Sequence, residues 1–187
     1  MIKDLTGTTG RLDIIFRCIL AAFSFGKHDI IFQTVLNGPP DPPKSIEFNG
    51  NRLNELPTDE IQMARLFQTI LDPKNQKQIE GITLRPKSFL QSASELARKG
   101  PIFLLQEDGL HFLDYSDELI NKKAGVNSLI FILSDHIDLK PQEKEYLIER
   151  LGATQISLGS QSYLASHCII FLLMKLKEWN FVTDIKR

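Results

Sequence analysis

Cysteine is scarce in this chain of 187 residues: there are two, Cys18 and Cys168, far apart in the sequence. They build no disulfide framework, so a reducing, cytoplasmic setting is expected. Long hydrophobic runs are missing as well. None approaches the ~20 residues that span a bilayer, and the opening residues MIKDLTGTTG lack the apolar stretch of a signal peptide. Neither a membrane nor the secretory pathway is expected. An excess of one charge is also lacking, with Lys plus Arg at 22, Asp plus Glu at 23 and a formal net charge of −1. A nucleic-acid site must then be a local patch, because global charge supplies no electrostatic pull. The chain has no internal repeat and no low-complexity tract. What is present is an ordinary globular balance, 42% apolar and 24% charged. A chain of this length buries about two thirds of its unfolded surface, and one domain over residues 1–187 is expected.

The common catalytic signatures are missing too. No G-x-G-x-x-G and no G-x-x-x-x-G-K-[ST] occurs, which removes a dinucleotide fingerprint and a P-loop. Ser157, Ser160, Asp135 and His136 offer the residue types of a hydrolytic triad, but no G-x-S-x-G elbow carries the nucleophile. His28 and His111 have no partners at ligand spacing, and adjacent His167 and Cys168 cannot face one metal from a regular helix. No metal site is expected.

The apolar pattern alternates between two periods. Residues 11–24 carry Leu12, Ile15, Phe16, Ile19 and Phe23 at helical spacing. Residues 29–36 read as a buried strand and 45–48 as a short second one. The proline-rich stretch 37–43 between them predicts a stiff, extended connection. A helix is expected after Thr58, running to Leu71, with Asp59 and Glu60 in its first turn. Then come a strand at 81–84 and a helix over 87–98 closed by Gly100. Segments 102–106 and 110–113 flank Glu107-Asp108-Gly109, which predicts a hairpin. Residues 127–133 form the clearest core strand, Pro141 opens a helix that Gly152 closes, 154–158 is a further strand and 161–178 the last helix. Strands alternating with helices predict an α/β fold with a mainly parallel sheet flanked by helices.

In such sheets ligands bind at the carboxyl ends of the strands. Two segments qualify by position, Leu133-Ser134-Asp135-His136 and Ile156-Ser157-Leu158-Gly159-Ser160, and a third, Leu164-Ala165-Ser166-His167-Cys168, borders the closing helix. Backbone amides in Ser/Gly turns bind the polar groups of a nucleoside, and small residues let the ligand come close. Ordinary α/β turns use the same residues. Asp13 and Arg17 stand one helical turn apart, the spacing of a solvated ion pair as much as of a functional one.

Several separated motifs then carry a resemblance. The run Gly10-Arg11-Leu12-Asp13-Ile14-Ile15-Phe16-Arg17-Cys18 resembles the G-R-x-D-x-x-x-R-C signature of the archaeal tRNA pseudouridine-54 N1-methyltransferases, which are SPOUT proteins. Asn37-Gly38-Pro39-Pro40-Asp41-Pro42-Pro43 ahead of Ile46-Glu47-Phe48 is similar to the family's G-x-P-x-P-P before an I-x-F strand. Phe131-Ile132-Leu133-Ser134-Asp135-His136 resembles its F-[IVL]-[IL]-G-D-H, and Ile156-Ser157-Leu158-Gly159 with Ala165-Ser166-His167-Cys168-Ile169 resembles its I-S-L-[GS]-P and A-x-H-C-I. The motifs keep one order and cover most of the chain.

The resemblance implies a trefoil-knotted SPOUT fold that binds S-adenosylmethionine in a cup of three loops. Those loops coincide with the three segments chosen by position, giving Leu133, Ser134, Asp135, His136, Ile156, Ser157, Leu158, Gly159, Leu164 and Cys168 as cofactor-binding residues. It further implies a tRNA substrate, and a homodimer that the apolar stretch 168–174 would suit. The family's first strand precedes the point where this chain begins, so that strand is expected to be missing. Ser134 stands where the family has Gly, Ser160 where it has Pro, Leu164 where it has His, and Ile61 and Pro86 where it has Arg. A Cβ at 134 would crowd the cofactor if that backbone needed positive φ.

Under this reading Asp13 is the candidate general base or orienter, Arg11 polarises the base, and Arg17 and Arg85 hold RNA phosphate. Tyr163 either stacks on a splayed base or packs in the core. Methylation of another RNA such as rRNA, or binding of RNA or cofactor without turnover, are the competing readings.

Overall fold

A computed structural model describes residues 11–39, 41–74, 78–117, 119, 128–134 and 137–182. They group into two compact units, one made of 1–88 with 169–187 and the other of 89–168.

In the first unit, helix α1 (Leu12–Ala22) carries the apolar stripe read from the sequence. Leu12, Phe16 and Ile19 are buried from it at i, i+4 and i+7 spacing. They pack with Ile46 and Phe48 of strand β2 (Lys44–Asn49) and with Met63 and Phe67 of helix α2 (Glu60–Leu71). Three rings lock this core: Phe16 meets Phe67 edge-on at 4.9 Å, and Phe48 stacks on Phe67 at 6.0 Å. Helix α2 is capped by Asp59, whose carboxylate accepts from the Gln62 amide at 2.8 Å, rather than by Thr58.

Strand β1 (Ile31–Leu36) pairs antiparallel with β2, and β2 with β3 (Ile82–Arg85), giving the order β1-β2-β3. Leu36 lies opposite Lys44. The proline-rich stretch is therefore the closed end of a hairpin, not the extended connector expected from its composition. Proline stiffens the chain but does not by itself set its direction, and Asp41 at φ 53 supplies a left-handed residue within the bend.

The second unit contains helix α3 (Phe89–Ala97), strands β4 (Ile102–His111), β5 (Ile130–Ile132) and β6 (Thr154–Ser157), and helix α4 (Pro141–Glu145), which runs into a π turn over Tyr146–Arg150. Its sheet has the order β5-β4-β6 and is parallel throughout. This is the parallel sheet expected from the sequence, and the first unit carries a separate, antiparallel meander. Both faces of the parallel sheet are covered, as parallel sheets require. On one side Ile102, Leu104, Ile130 and Ile132 pack with Ala93 and Leu147. On the other, Phe103 stacks on Phe131 at 5.3 Å, and Phe112 meets Phe131 edge-on.

The hairpin expected around Glu107-Asp108-Gly109 does not form. Leu105 and Leu110 both lie opposite Ile156 of β6, so residues 106–109 are a bulge within one strand. Gly109 explains why the bulge can sit there: a Cβ at this position would lie 2.6 Å from the Ile156 carbonyl carbon and 2.7 Å from its nitrogen. The turn signal was real, but the flanks pair with β6 rather than with each other.

The last helix, α5 (Ala165–Glu178), begins later than residue 161 because Leu164 accepts the first helical bonds, from His167 at 2.8 Å and Cys168 at 3.1 Å. No helix of the described residues is long and apolar enough to cross a membrane.

Candidate active site

At the start of α1 the sequence motif becomes a compact ion cluster. Asp13 is buried. Arg11 donates from Nε to Asp13 Oδ1 at 3.0 Å and from Nη2 to Oδ2 at 3.3 Å, a bidentate grip. Arg17 donates from Nη2 to Oδ2 of the same carboxylate and from Nε to the Asp13 carbonyl at 3.2 Å. Arg17 Nε also lies 3.7 Å from Glu60, at the start of α2. Arg11 adopts φ 59 and ψ 40, a left-handed conformation that costs a non-glycine residue about 1–3 kcal/mol. The two bonds to the Asp13 carboxylate offset part of that cost.

The Arg11 hydrogen bonds, then the charges of Arg11 and Arg17, hold the Asp13 carboxyl below the usual carboxylate range, although burial pushes it the other way. A carboxylate tuned downward is a weak base. Both arginines remain two-fifths exposed, so each can meet a ligand while one edge is fixed. The arrangement presents two oriented cations on one buried anion.

The second constellation lies at the carboxyl ends of the parallel strands. The chain passes from β4 to β5 on one side and then crosses to β6 on the other. That reversal makes a topological switch point, the usual ligand crevice of a parallel sheet. Leu133 and Ser134 follow β5 half-buried. Asp135 and His136 lie outside the described residues. Ser134 has no positive φ, so the backbone conformation that would have made a Cβ here crowd the cofactor does not arise. Its hydroxyl donates to Asp138 at 3.2 Å.

After β6, the buried Ser157 hydroxyl donates to the Gly159 carbonyl at 2.8 Å and accepts from the Gly159 amide at 3.1 Å. Ser157 thus shapes the turn and has its own hydroxyl engaged. Gly159 sits at φ 137, a conformation open to glycine, and a Cβ there would lie 3.8 Å from the Tyr163 hydroxyl and 3.9 Å from its ring. Ile156 is fully buried and offers only backbone, whereas Leu158 is half-buried and Leu164 is 58% exposed. Tyr163 is exposed as well, which overturns the core-packing alternative. Cys168 is half-buried, and burial pushes its thiol up, so it stays neutral rather than nucleophilic.

Among the described residues of these three segments the donor set is uncharged: turn backbones, small residues and partly exposed leucines. Such a set fits a neutral purine nucleoside better than a phosphate. Among the described residues no cluster of His, Cys, Asp and Glu could hold a metal. Sequence reasoning missed Glu60, Gln106, Asp138 and Lys144 as neighbours of these groups, because no motif marks them. Arg85 lies exposed at the end of β3.

Parallel strands ending in glycine-serine turns at a switch point define an α/β protein built for a nucleoside-type ligand. The family model described as "Putative SAM-dependent RNA methyltransferase" matches residues 1–181, and the chain belongs to this family. A tRNA (pseudouridine(54)-N(1))-methyltransferase of Methanococcus vannielii is 37% identical over 183 residues, covering 91% of this chain and 87% of the relative. One from Pyrococcus abyssi is 32% identical over 186 residues, with 91% and 86% covered. The crystal structure of Archaeoglobus fulgidus Nep1 bound to S-adenosylhomocysteine shares the fold, with a TM-score of 0.64 at 19% identity, over 96% of this chain and 77% of that one.

Proposed function

We propose that this protein methylates N1 of pseudouridine 54 in tRNA, using S-adenosylmethionine, in the cytoplasm and as a homodimer of one knotted SPOUT domain. The relatives' names supply the substrate. The observation that carries the cofactor assignment is the parallel β5-β4-β6 sheet, whose carboxyl ends carry the uncharged turns at Leu133–Ser134 and Ile156–Gly159. Leu133, Ser134, Leu158, Gly159, Leu164 and Cys168 would hold the nucleoside, with Ile156 and Ser157 setting the backbone, and Asp135 and His136 belong to the same proposal.

The cofactor supplies an electrophilic methyl group. N1 of the base would take that methyl as the sulfonium carbon–sulfur bond breaks and leaves a neutral thioether, and the N1 proton would pass to solvent water. The C-glycosidic isomer leaves N1 free and protonated, so acidifying N1–H is what the protein must contribute. Arg11 serves this by polarising the base carbonyls, and Arg17 and Arg85 serve by binding phosphate. The lowered pKa of Asp13 favours the orienting role over the general-base role: the carboxylate fixes two guanidiniums and stays ionised.

Calorimetry with S-adenosylhomocysteine tests the cup. Ligand at 100 times its dissociation constant is expected to add about 2.7 kcal/mol of stability. The absence of both heat and a melting shift at millimolar ligand would refute the assignment. Binding without methyl transfer to pseudouridine-containing tRNA would point instead to another RNA, such as rRNA, or to a protein that binds without turnover.

The dimer reading rests on α5. Leu172 and Leu173 are buried within the first unit's fold, but Met174 is 55% exposed and Ile170 half-buried. Sedimentation is expected to show a dimer at tens of micromolar, and Ile170→Glu is expected to shift it to monomer. A wild-type monomer at that concentration would count against it.

A further inference from the structure

Beside the switch point, four polar side chains from separate segments form a chain of contacts. Lys144, on helix α4, donates from Nζ to Gln106 Oε1 at 2.6 Å and lies 3.4 Å from Asp138 Oδ2. The other carboxylate oxygen of Asp138 accepts from the Ser134 hydroxyl at 3.2 Å. Gln106 is the first residue of the bulge in β4, and its own amide nitrogen donates to the Leu105 carbonyl at 2.7 Å. That bond settles which end of the amide faces Lys144: the oxygen does. Leu104 pairs in register with Ile132, so Gln106 and Ser134 follow the paired ends of neighbouring strands by the same two residues.

We propose that Lys144 is a positioning residue for the cofactor, tying the strand end at Ser134 to the central strand at Gln106. This rests on the reading that Ser134 belongs to the cofactor cup. The ammonium reaches both Gln106 on the central strand and Asp138 in the segment that follows β5, and its stem is mostly covered, with 28% of the side chain exposed. Asp138 is the relay: its carboxylate spans from Lys144 to the hydroxyl of Ser134. A preorganised loop binds ligand more tightly because less ordering is left to binding.

Lys144→Met keeps the stem and removes the charge. It is expected to raise the dissociation constant for S-adenosylhomocysteine about threefold to tenfold, the worth of one or two solvent-facing polar contacts. The KM for the cofactor should rise in step while kcat at saturation holds, and apo melting should stay within about 2 °C. Ser134→Ala should give a similar rise, and the double variant no more than either alone. Lys144→Arg should recover part of the affinity. Unchanged affinity in Lys144→Met, additive losses in the double variant, or a fall in apo melting that accounts for the weaker binding would each overturn the proposal. A wild-type protein that binds no S-adenosylhomocysteine would refute the cup itself, and the clasp with it.

Discussion

Asp13→Asn is expected to lower methyl transfer to a pseudouridine-54 tRNA by roughly 100-fold, while affinity for S-adenosylhomocysteine stays nearly constant. Asparagine keeps the shape but loses the charge that fixes two guanidiniums, Arg11 with two bonds and Arg17 with a carboxylate and a carbonyl bond. Arg17→Ala is expected to act differently, weakening RNA binding and reducing its salt slope by about one contact.

The same substitution carries a pH signature. The folded Asp13 carboxyl titrates below its unfolded value, so its stabilisation is complete above the unfolded pKa of about 3.9. It is lost as pH falls through the lower folded value. Wild type and Asp13→Asn should therefore differ in stability at pH 7 and converge in strong acid. Full activity in Asp13→Asn would remove the aspartate from the mechanism. Loss of activity in both variants, matched by unfolding in both, would reduce the cluster to an ion pair that holds α1 to α2.

Gly109→Ala should be the most damaging small substitution near the cofactor turns. The added methyl would lie 2.6–2.8 Å from backbone atoms of Ile156 and Gln155, which no side-chain rotation can relieve. Overpacking of this kind costs about 1–3 kcal/mol, occasionally more, and each kcal/mol lowers melting by about 2–4 °C at this chain length. Because β6 ends in the Ser157–Gly159 turn, the shift should also weaken S-adenosylhomocysteine binding. Thermal melting with and without ligand separates the two effects. An unaltered melting temperature would show that β4 and β6 can part at no cost.

The sequence by itself determined the elements whose pattern is local. The spacing of Leu12, Phe16 and Ile19 specifies α1 and its buried face, because 3.6-residue periodicity repeats within the helix. The strand ends at Leu133–Ser134 and Ile156–Gly159 were legible for the same reason: an apolar run followed by small polar residues marks where a buried strand stops. Family membership was legible because its motifs are ordered residue types, which need no fold to be read.

Only the tertiary structure decided the partners. Glu107-Asp108-Gly109 looks the same whether it closes a hairpin or bulges from one strand, since the choice depends on Ile156, far along the chain. The proline stretch 37–43 names stiffness but not direction, and the register of Leu36 with Lys44 supplies the direction. Asp13 and Arg17 at i,i+4 promised an ion pair, yet the second guanidinium, the left-handed Arg11 and the reach to Glu60 came from packing. Lys144 carried no signal at all. Its contacts to Gln106 and Asp138 join residues 38 and 6 positions away, and neither separation matches a helical or strand period. Local periodicity fixes what an element is, and burial of one element against another fixes which side chains meet.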